Sequence, residues 1–303
     1  MRVGITGASG LIGSALTARL RERGDEPVAF VRREARPGEI AWNPADARLD
    51  TDDLAGLDAV VHLAGAGIGD HRWTADYRRE LVESRTLSTR LLAEKMAEIA
   101  EKAARGPSVL VSGSAIGYYG DRGDELLTET SEPGAGFLSE ICVEWEAAAA
   151  PAASAGIRVT TIRTGIVLAG TGGALAKMLP LFKLGVGGPF GNGRQWFSWI
   201  SLADEVAAIE YLLDTNIAGP VNLTAPNPVT NREFARQLGA VLRRPALLPA
   251  PAFAPRLLLG RDRADALLFD GQRVVPEALL AGGFAFQHPT LEAGLRAALD
   301  RQS

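Results

Sequence analysis

Very little in this chain could staple it, anchor it or charge it strongly. A single cysteine, Cys142, in 303 residues excludes an internal disulfide framework. No histidine stands near it in sequence, so a small buried apolar role suits it better than that of a nucleophile. Only three histidines occur, and His62, His71 and His288 have no ligand spacing, so no metal site is expected. No apolar run is long enough to cross a bilayer, and the first residues read as a strand rather than a secretory leader. The net charge of −4 offers no basic field for nucleic acid or an anionic membrane. Lysine is scarce: among 32 basic residues only Lys95, Lys102, Lys177 and Lys183 are lysines. With 47% hydrophobic and 22% charged residues, the expectation is a globular, cytoplasmic protein with a large core and a small-molecule partner.

Against that background the first stretch stands out. Val3 to Ile5 reads as a buried strand, Gly7, Gly10 and Gly13 follow, and Leu11, Ile12, Ala15, Leu16 and Leu20 recur at helical spacing. Strand, glycine turn and helix in this order are the context of a dinucleotide fingerprint. Gly7 permits the tight turn, Gly10 a close backbone approach to pyrophosphate, and Gly13 close packing of helix on strand. The N–H groups around Ser9, Gly10, Leu11 and Ile12, at the positive end of the helix dipole, suit phosphate. A second strand, Pro27 to Val31, ends at Arg32 and Arg33. There an acid would take a ribose hydroxyl and an arginine a 2′-phosphate, so the pair favours NADP(H) over NAD. The alternative is two solvated surface arginines.

Asp58 to Gly65 is a buried strand closing in Leu63, Ala64 and Gly65, where small residues let adenine or ribose lie on the backbone. His62, inside that run, reads as a hydrogen-bonded core residue. A short strand is possible at Ile40 to Trp42. Helices are expected over Asp76 to Arg105 and Phe137 to Ala155, and strands over Pro107 to Ser112 and Ile157 to Arg163. Strands alternating with helices give an α/β fold, a Rossmann-like doubly wound parallel sheet. Ligands collect at the carboxyl ends of its strands, here Gly7, Arg32, Ala64, Ser112 and Arg163. From Ala169 glycine-rich loops flank an apolar helix, Ala174 to Leu184. A strand at Val221 to Thr224, a capping box at Thr230 to Glu233, a proline-rich connection at Pro245 to Pro255, short helices and a strand at Gly283 to Phe286 complete a smaller C-terminal α/β lobe. The expected division is residues 1–225, the cofactor domain, and 226–303, a small domain completing the substrate lobe.

Thr6-Gly-Ala-Ser-Gly-Leu-Ile-Gly13, His62-Leu-Ala-Gly65, the serine-rich strand end before Tyr119-Gly120, and Arg163-Thr-Gly-Ile-Val resemble the extended and atypical short-chain dehydrogenase/reductase superfamily. Gly67 to Trp73, Ser84-Arg85, Gly193 to Ile200 and the C-terminal Leu257 to Leu299 narrow the resemblance to its epimerase-like family of the YfcH and SDR39U type, which ends in a domain of unknown function. The resemblance covers essentially the whole chain and implies NADP(H) binding. That superfamily uses a Tyr-x-x-x-Lys pair, the lysine lowering the pKa of a proton-trading phenol. Here Phe137 and Ile141 stand in those places, and no tyrosine has a lysine four residues on. The superfamily's serine falls on Ala115, or on Ser114 with a one-residue shift, and Arg85 replaces its helical asparagine.

Any chemistry must therefore use other groups. Tyr118 or Tyr119 could donate a proton, helped by Arg85 or Arg163, or both could be packed aromatics. Ser112, Gly113 and Ser114 could meet substrate or the nicotinamide ribose, or the serines could merely satisfy a turn. Trp73, Trp196 and Trp199 could line a substrate pocket, with Arg85 and Arg194 for an anionic group, or pack between lobes. Asp121, Asp124 and Glu125 could supply a base or form a solvated loop. Two functions fit: an NADP(H)-dependent oxidoreductase or epimerase on a small polar molecule such as a nucleotide sugar, or a non-catalytic NADPH sensor. A homodimer through the two long helices is possible.

Overall fold

Period-two burial builds the sheet. In the first strand, β1 (Arg2–Thr6), Val3 and Ile5 point to one face, and Gly4 leaves room on the other for Leu57 and Phe30. The computed structural model describes residues 1–102, 105–246 and 248–300. Its sheet also contains β2 (Glu26–Val31), β3 (Glu39–Ala41), β4 (Ala59–His62), β5 (Val109–Ala115), β6 (Arg158–Thr164) and β7 (Gly219–Leu223). The order is β7-β6-β5-β4-β1-β2-β3, and every pairing is parallel. The order reverses beside β1, so the crevice between the β1 and β4 ends is the switch point where open α/β sheets take ligands.

Helices cover both faces. On one, α1 (Leu11–Arg23) packs through Leu16 and Leu20 onto Val3, Ile5, Val61 and Val111, with Ile209 and Leu212 of another helix beside them. On the other, α2 (Ala75–Glu101) buries Leu91, Leu92 and Met96 against Val60, Leu110 and Trp42. Thr74 caps α2 by accepting from Tyr77 N at 3.2 Å. The expected helix ran further; its positions 103 and 104 lie outside the described residues.

The helix expected from Phe137 to Ala155 is two. The first, α3, spans Phe137–Ala147, and a separate short helix spans Ala150–Ser154. Pro151 has no N–H to donate backward, but it suits the first turn of a new helix, where that donor is idle.

Beyond β6 the chain forms α4 (Gly173–Lys183), α5 (Leu202–Asp214), α6 (Asn231–Leu242) and α7 (Leu291–Asp300), with short paired strands at 166–168/199–201 and 196–197/229–230. Thr230 caps α6 through Glu233 N at 3.3 Å. A third core combines Leu175, Phe182, Phe197 and Trp199 with Phe234, Leu291 and Leu295, drawing on both sides of residue 225. The strand expected at 283–286 is absent, because Phe284 and Phe286 pack onto the main core instead. Asp204 fastens this return, accepting from Gln287 N at 2.7 Å and His288 N at 3.0 Å. Residues 273–274 pair with 126–127, bringing C-terminal side chains beside the carboxyl ends of the sheet. Among the described residues no helix is long and apolar enough to cross a membrane.

Next to Asp204, Glu205 is fully buried, takes one bond from Thr164 Oγ1 at 2.9 Å, and leaves Oε2 without a partner among the described residues. Burial pushes its carboxyl up to about 8, so the folded protein holds a proton that the unfolded chain, near 4.5, releases. The stability this brings is complete below pH 4.5 and is lost as pH rises through 8. Glu205→Gln should leave the urea midpoint nearly unchanged at pH 5 and stabilise the protein by on the order of 2 kcal/mol at pH 9. A gain of equal size at both values would disprove the buried proton.

Candidate cofactor and substrate site

The glycine turn forms a cradle with almost no spare volume. Gly7 has φ +67°, and a Cβ there would lie 3.0 Å from the Leu63 carbonyl. At Gly13 a Cβ would stand 2.2 Å from Gly7 O. Gly10 N donates to Gly7 O at 2.9 Å, which closes the turn. Gly10 caps α1 without a side chain, and no acid occupies the first turn. The helix therefore presents unpaired N–H groups and positive dipole to solvent beside the exposed Ser9 and Gly10. Leu11 lies under Gly172, whose Cβ position is 3.1 Å from it, and Ile12 packs on the core.

At the β2 end the two arginines differ. Arg33 forks onto Glu39 with both bonds at 2.7 Å, and this bond holds Glu39 down to about 2. Arg32 is exposed and has no ion pair among the described residues.

At the β4 end, Thr6 Oγ1 accepts from Leu63 N at 3.0 Å and Ala64 N at 3.1 Å, and meets His62 Nδ1 at 2.7 Å. With both lone pairs used, its proton goes to Nδ1, so the bonding inventory assigns the proton of His62 to Nε2, which faces Ser88 Oγ at 3.1 Å. Burial, then Arg85, pushes His62 down to about 3, keeping it neutral. Thr6 and Ser88 escaped the sequence reading because their link to His62 crosses β1, β4 and α2. Arg85 donates to Leu81 O at 2.9 Å and Ala66 O at 3.0 Å and lies over Trp145. It supports Gly65 from below, its side chain 3.4 Å from a Cβ there, and anchors the loop after β4.

Several expected reactive groups turn out to be tied. Tyr119 is fully buried, donates to Asn222 Oδ1 at 2.7 Å, and accepts from Arg163 at 3.0 Å. Burial pushes its phenol up to about 12, which corrects its reading as a proton donor. Arg163, expected at the cofactor, is buried and forks onto Glu146 at 2.8 and 2.9 Å; these contacts hold it charged against the penalty of burial. Ser114 Oγ donates to the same carboxylate at 2.7 Å, so it too is held away from a ligand. Gly113 faces Trp145, 2.8 Å from a Cβ, and Ser112 Oγ is sealed without a partner among the described residues. Burial raises the Cys142 thiol to about 11, leaving it an inert packing group. Tyr118 keeps an unbonded hydroxyl among the described residues, its ring lying 3.4 Å below the Arg163 guanidinium.

Phe137 and Ile141 join Tyr77, Leu81 and Trp73 in an apolar cluster where a proton-transfer pair would stand. Phe137 and Trp73 also wall a cleft of about 220 Å³, completed by Gly117, Leu138, Asp265 and Asp270. Arg78 lies over both rings and pairs with Asp262 at 2.7 Å. Burial, then Asp121 and Asp265, raises the Asp270 carboxyl. These C-terminal acids lie about half the chain away in sequence, so no local motif could reveal them. Trp196 sits in a separate hollow with Arg194, its Nε1 donating to Asp124 at 2.7 Å. Asp121 lines that hollow, and Glu125 pairs with Arg122. Trp199 is fully buried against Gly294 and donates to Asn227 O at 3.2 Å, so it is core rather than pocket wall.

A parallel switch-point sheet, the glycine cradle, and a serine-tyrosine strand end define a Rossmann-type protein of the short-chain dehydrogenase/reductase kind. The chain belongs to the NAD dependent epimerase/dehydratase family, which it matches over residues 3–224, and residues 250–298 match a domain of unknown function. It is 43% identical to an epimerase family protein of Mycobacterium bovis over 99% of this chain and 98% of that one. The human epimerase family protein SDR39U1 is 38% identical, over 98% and 99% of the two chains. A crystal structure of human SDR39U1 (isoform 2) with NADPH matches with TM-score 0.88 and 35% identity over 99% of both chains. A Corynebacterium glutamicum nucleoside-diphosphate sugar epimerase structure matches with TM-score 0.77 and 39% identity, over 99% of this chain and 58% of that one.

The Glu146 carboxylate balances Arg163 and holds Ser114. Glu146→Gln should lower the unfolding free energy by about 3 kcal/mol, because it strands a buried guanidinium. Urea titration checks this, and a loss below about 1 kcal/mol would mean that the pair carries little net stability.

Proposed function

We propose that the protein is an NADP(H)-dependent oxidoreductase or epimerase acting on a small polar molecule in the cleft beside Phe137. The observation that carries the cofactor choice is that Arg32, at the β2 end, is exposed and without an ion pair among the described residues, while Arg33 is already neutralised by Glu39 and no acid occupies the first turn of α1. The NADPH of the human relative supports the same choice. When bound, the dinucleotide supplies hydride exchange at its nicotinamide. The chain's part is to hold the diphosphate on the N–H groups around Gly10, to offer Arg32 to the 2′-phosphate, and to receive substrate between Trp73 and Phe137. Tyr118, near the β5 end, has a hydroxyl uncommitted among the described residues, and it is the candidate proton donor. The substrate reading takes further support from the sugar-nucleotide epimerase of C. glutamicum.

A second reading has its own support. Phe137 and Ile141 fill the proton-transfer positions with hydrocarbon, and Tyr119 is locked, which suits a protein that binds NADPH without turning it over. Exposed Leu87 and Val143 on α2 and α3 are compatible with the homodimer, which sedimentation would reveal as a doubled mass.

Arg32→Ala should weaken NADPH binding about tenfold or more while changing NADH affinity less than about twofold, as expected for loss of one charge-assisted phosphate contact. Equal losses for both cofactors in fluorescence titrations would remove the 2′-phosphate assignment. Function is tested by NADPH oxidation against carbonyls and nucleotide sugars. Turnover that falls about 100-fold in Tyr118→Phe supports the enzyme. Tight NADPH binding with no turnover across the panel supports the sensor.

A further inference from the structure

The loop leaving β4, residues 66–73, is held from several sides. Tyr77 donates to Gly67 O, Trp73 Nε1 to Ile68 O, and Arg85 to Ala66 O. At its middle two cations converge. Arg263, on a short helix (Arg261–Ala264), is buried and donates to Gly69 O and to His71 O, the latter at 2.8 Å. Lys177, on α4, reaches the same Gly69 carbonyl at 3.5 Å. A Cβ at Gly69 would lie 3.5 Å from the ammonium and 3.8 Å from the guanidinium, so both charges stand at one point of the loop.

Neither cation has a carboxylate within ion-pair distance among the described residues. The adjacent acids are engaged elsewhere: Asp262 pairs with Arg78 at 2.7 Å, and Asp265 pairs with Arg256 at 2.7 Å and with Arg261 at 3.7 Å. Asp70 turns its carboxylate back over Gly67, 1.9 Å from where a Cβ would be. Arg263 Nε is buried without a partner among the described residues. The carbonyls of Gly69 and His71 carry no full negative charge to balance two cations, and an anion bound between them would relieve their mutual repulsion. The place is also suited to a ligand. The other end of the loop, Trp73, walls the cleft, and α4 starts from the Gly172–Gly173 turn that lies on Leu11 at the cofactor cradle.

We infer that Lys177 and Arg263 form an oxyanion subsite at the edge of the cleft, one that takes a phosphate or carboxylate carried by the substrate. This rests on the reading of the cleft as the substrate site. It predicts an anionic substrate class and gives the C-terminal segment a direct part in recognition. Arg263, pre-ordered by its two carbonyl bonds, supplies fixed charge, and Lys177, exposed and flexible, closes on the anion.

The same chemistry could instead serve the cofactor's diphosphate, so the test has two arms. Full-length protein, with and without saturating NADPH, is titrated with inorganic phosphate at constant ionic strength, with chloride as the control. Thermal midpoint and calorimetry are read together. Phosphate should bind the NADPH-saturated protein, Lys177→Gln should weaken it about tenfold, and Lys177→Arg should restore it. Lys177 is varied because it is exposed, so the variants fold whether or not the subsite exists. Phosphate binding that is absent, or unchanged in Lys177→Gln, overturns the subsite. Binding that vanishes when NADPH is added assigns the anion to the cofactor and overturns the substrate role. NADPH binding is read in the same samples, so a failure of the cofactor reading is seen separately from a failure of the subsite.

Discussion

A carbonyl oxygen and a missing side chain govern the active end of this fold. The Cα of Gly13 presses so closely on the Gly7 carbonyl that any Cβ would overlap it, and this contact fixes where α1 leaves β1. Because the helix starts hard against the strand, its unpaired N–H groups open toward the crevice between β1 and β4. The Thr6–His62–Ser88 chain of bonds then holds the facing end of β4 on the same crevice. One steric constraint and one neutral buried network place the cofactor cradle.

The second organising interaction is the buried cluster around Arg163. Its guanidinium joins Glu146 of α3, Tyr119 after β5 and, through Tyr119, Asn222 of β7. These groups tie α3, the β5 end and β7 to β6 at the carboxyl end of the sheet, and the same bonds occupy the polar residues there. The result is a divided landscape. The region beside Phe137 and Ile141 is hydrocarbon, and among the described residues the polar groups without a charged partner lie further out, at Tyr118, Asp270 and the cations at Gly69.

The C-terminal segment explains how that shift is built. Residues 273–274 pair beside 126–127, and Asp204 fixes residues 287–288. Just before the first of these anchors the chain passes along the cleft through Asp262, Asp265, Asp270 and Gln272, with a turn of π-helix at Asp265–Phe269. Such turns widen the helix by a residue and often sit at functional sites; here Asp265 and Asp270 flank it at the cleft wall.

Local pattern was enough for the alternating core. Val3 and Ile5, the triple glycine and the apolar spacing of α1 and α2 all act through neighbours within a few residues, so their meaning is legible along the chain. The absence of a Tyr-x-x-x-Lys pair was legible for the same reason. Partnership was not. Whether Tyr119, Ser114 and Arg163 face a ligand or one another depends on Glu146 and Asn222, which only the closed sheet brings near. Trp199 reads like pocket wall until the fold surrounds it with α7. The meeting of Lys177 with Arg263 joins residues 86 positions apart, whose charges acquire significance only when both reach Gly69. Periodicity and backbone constraint are properties of short stretches; burial and charge balance belong to the assembled chain.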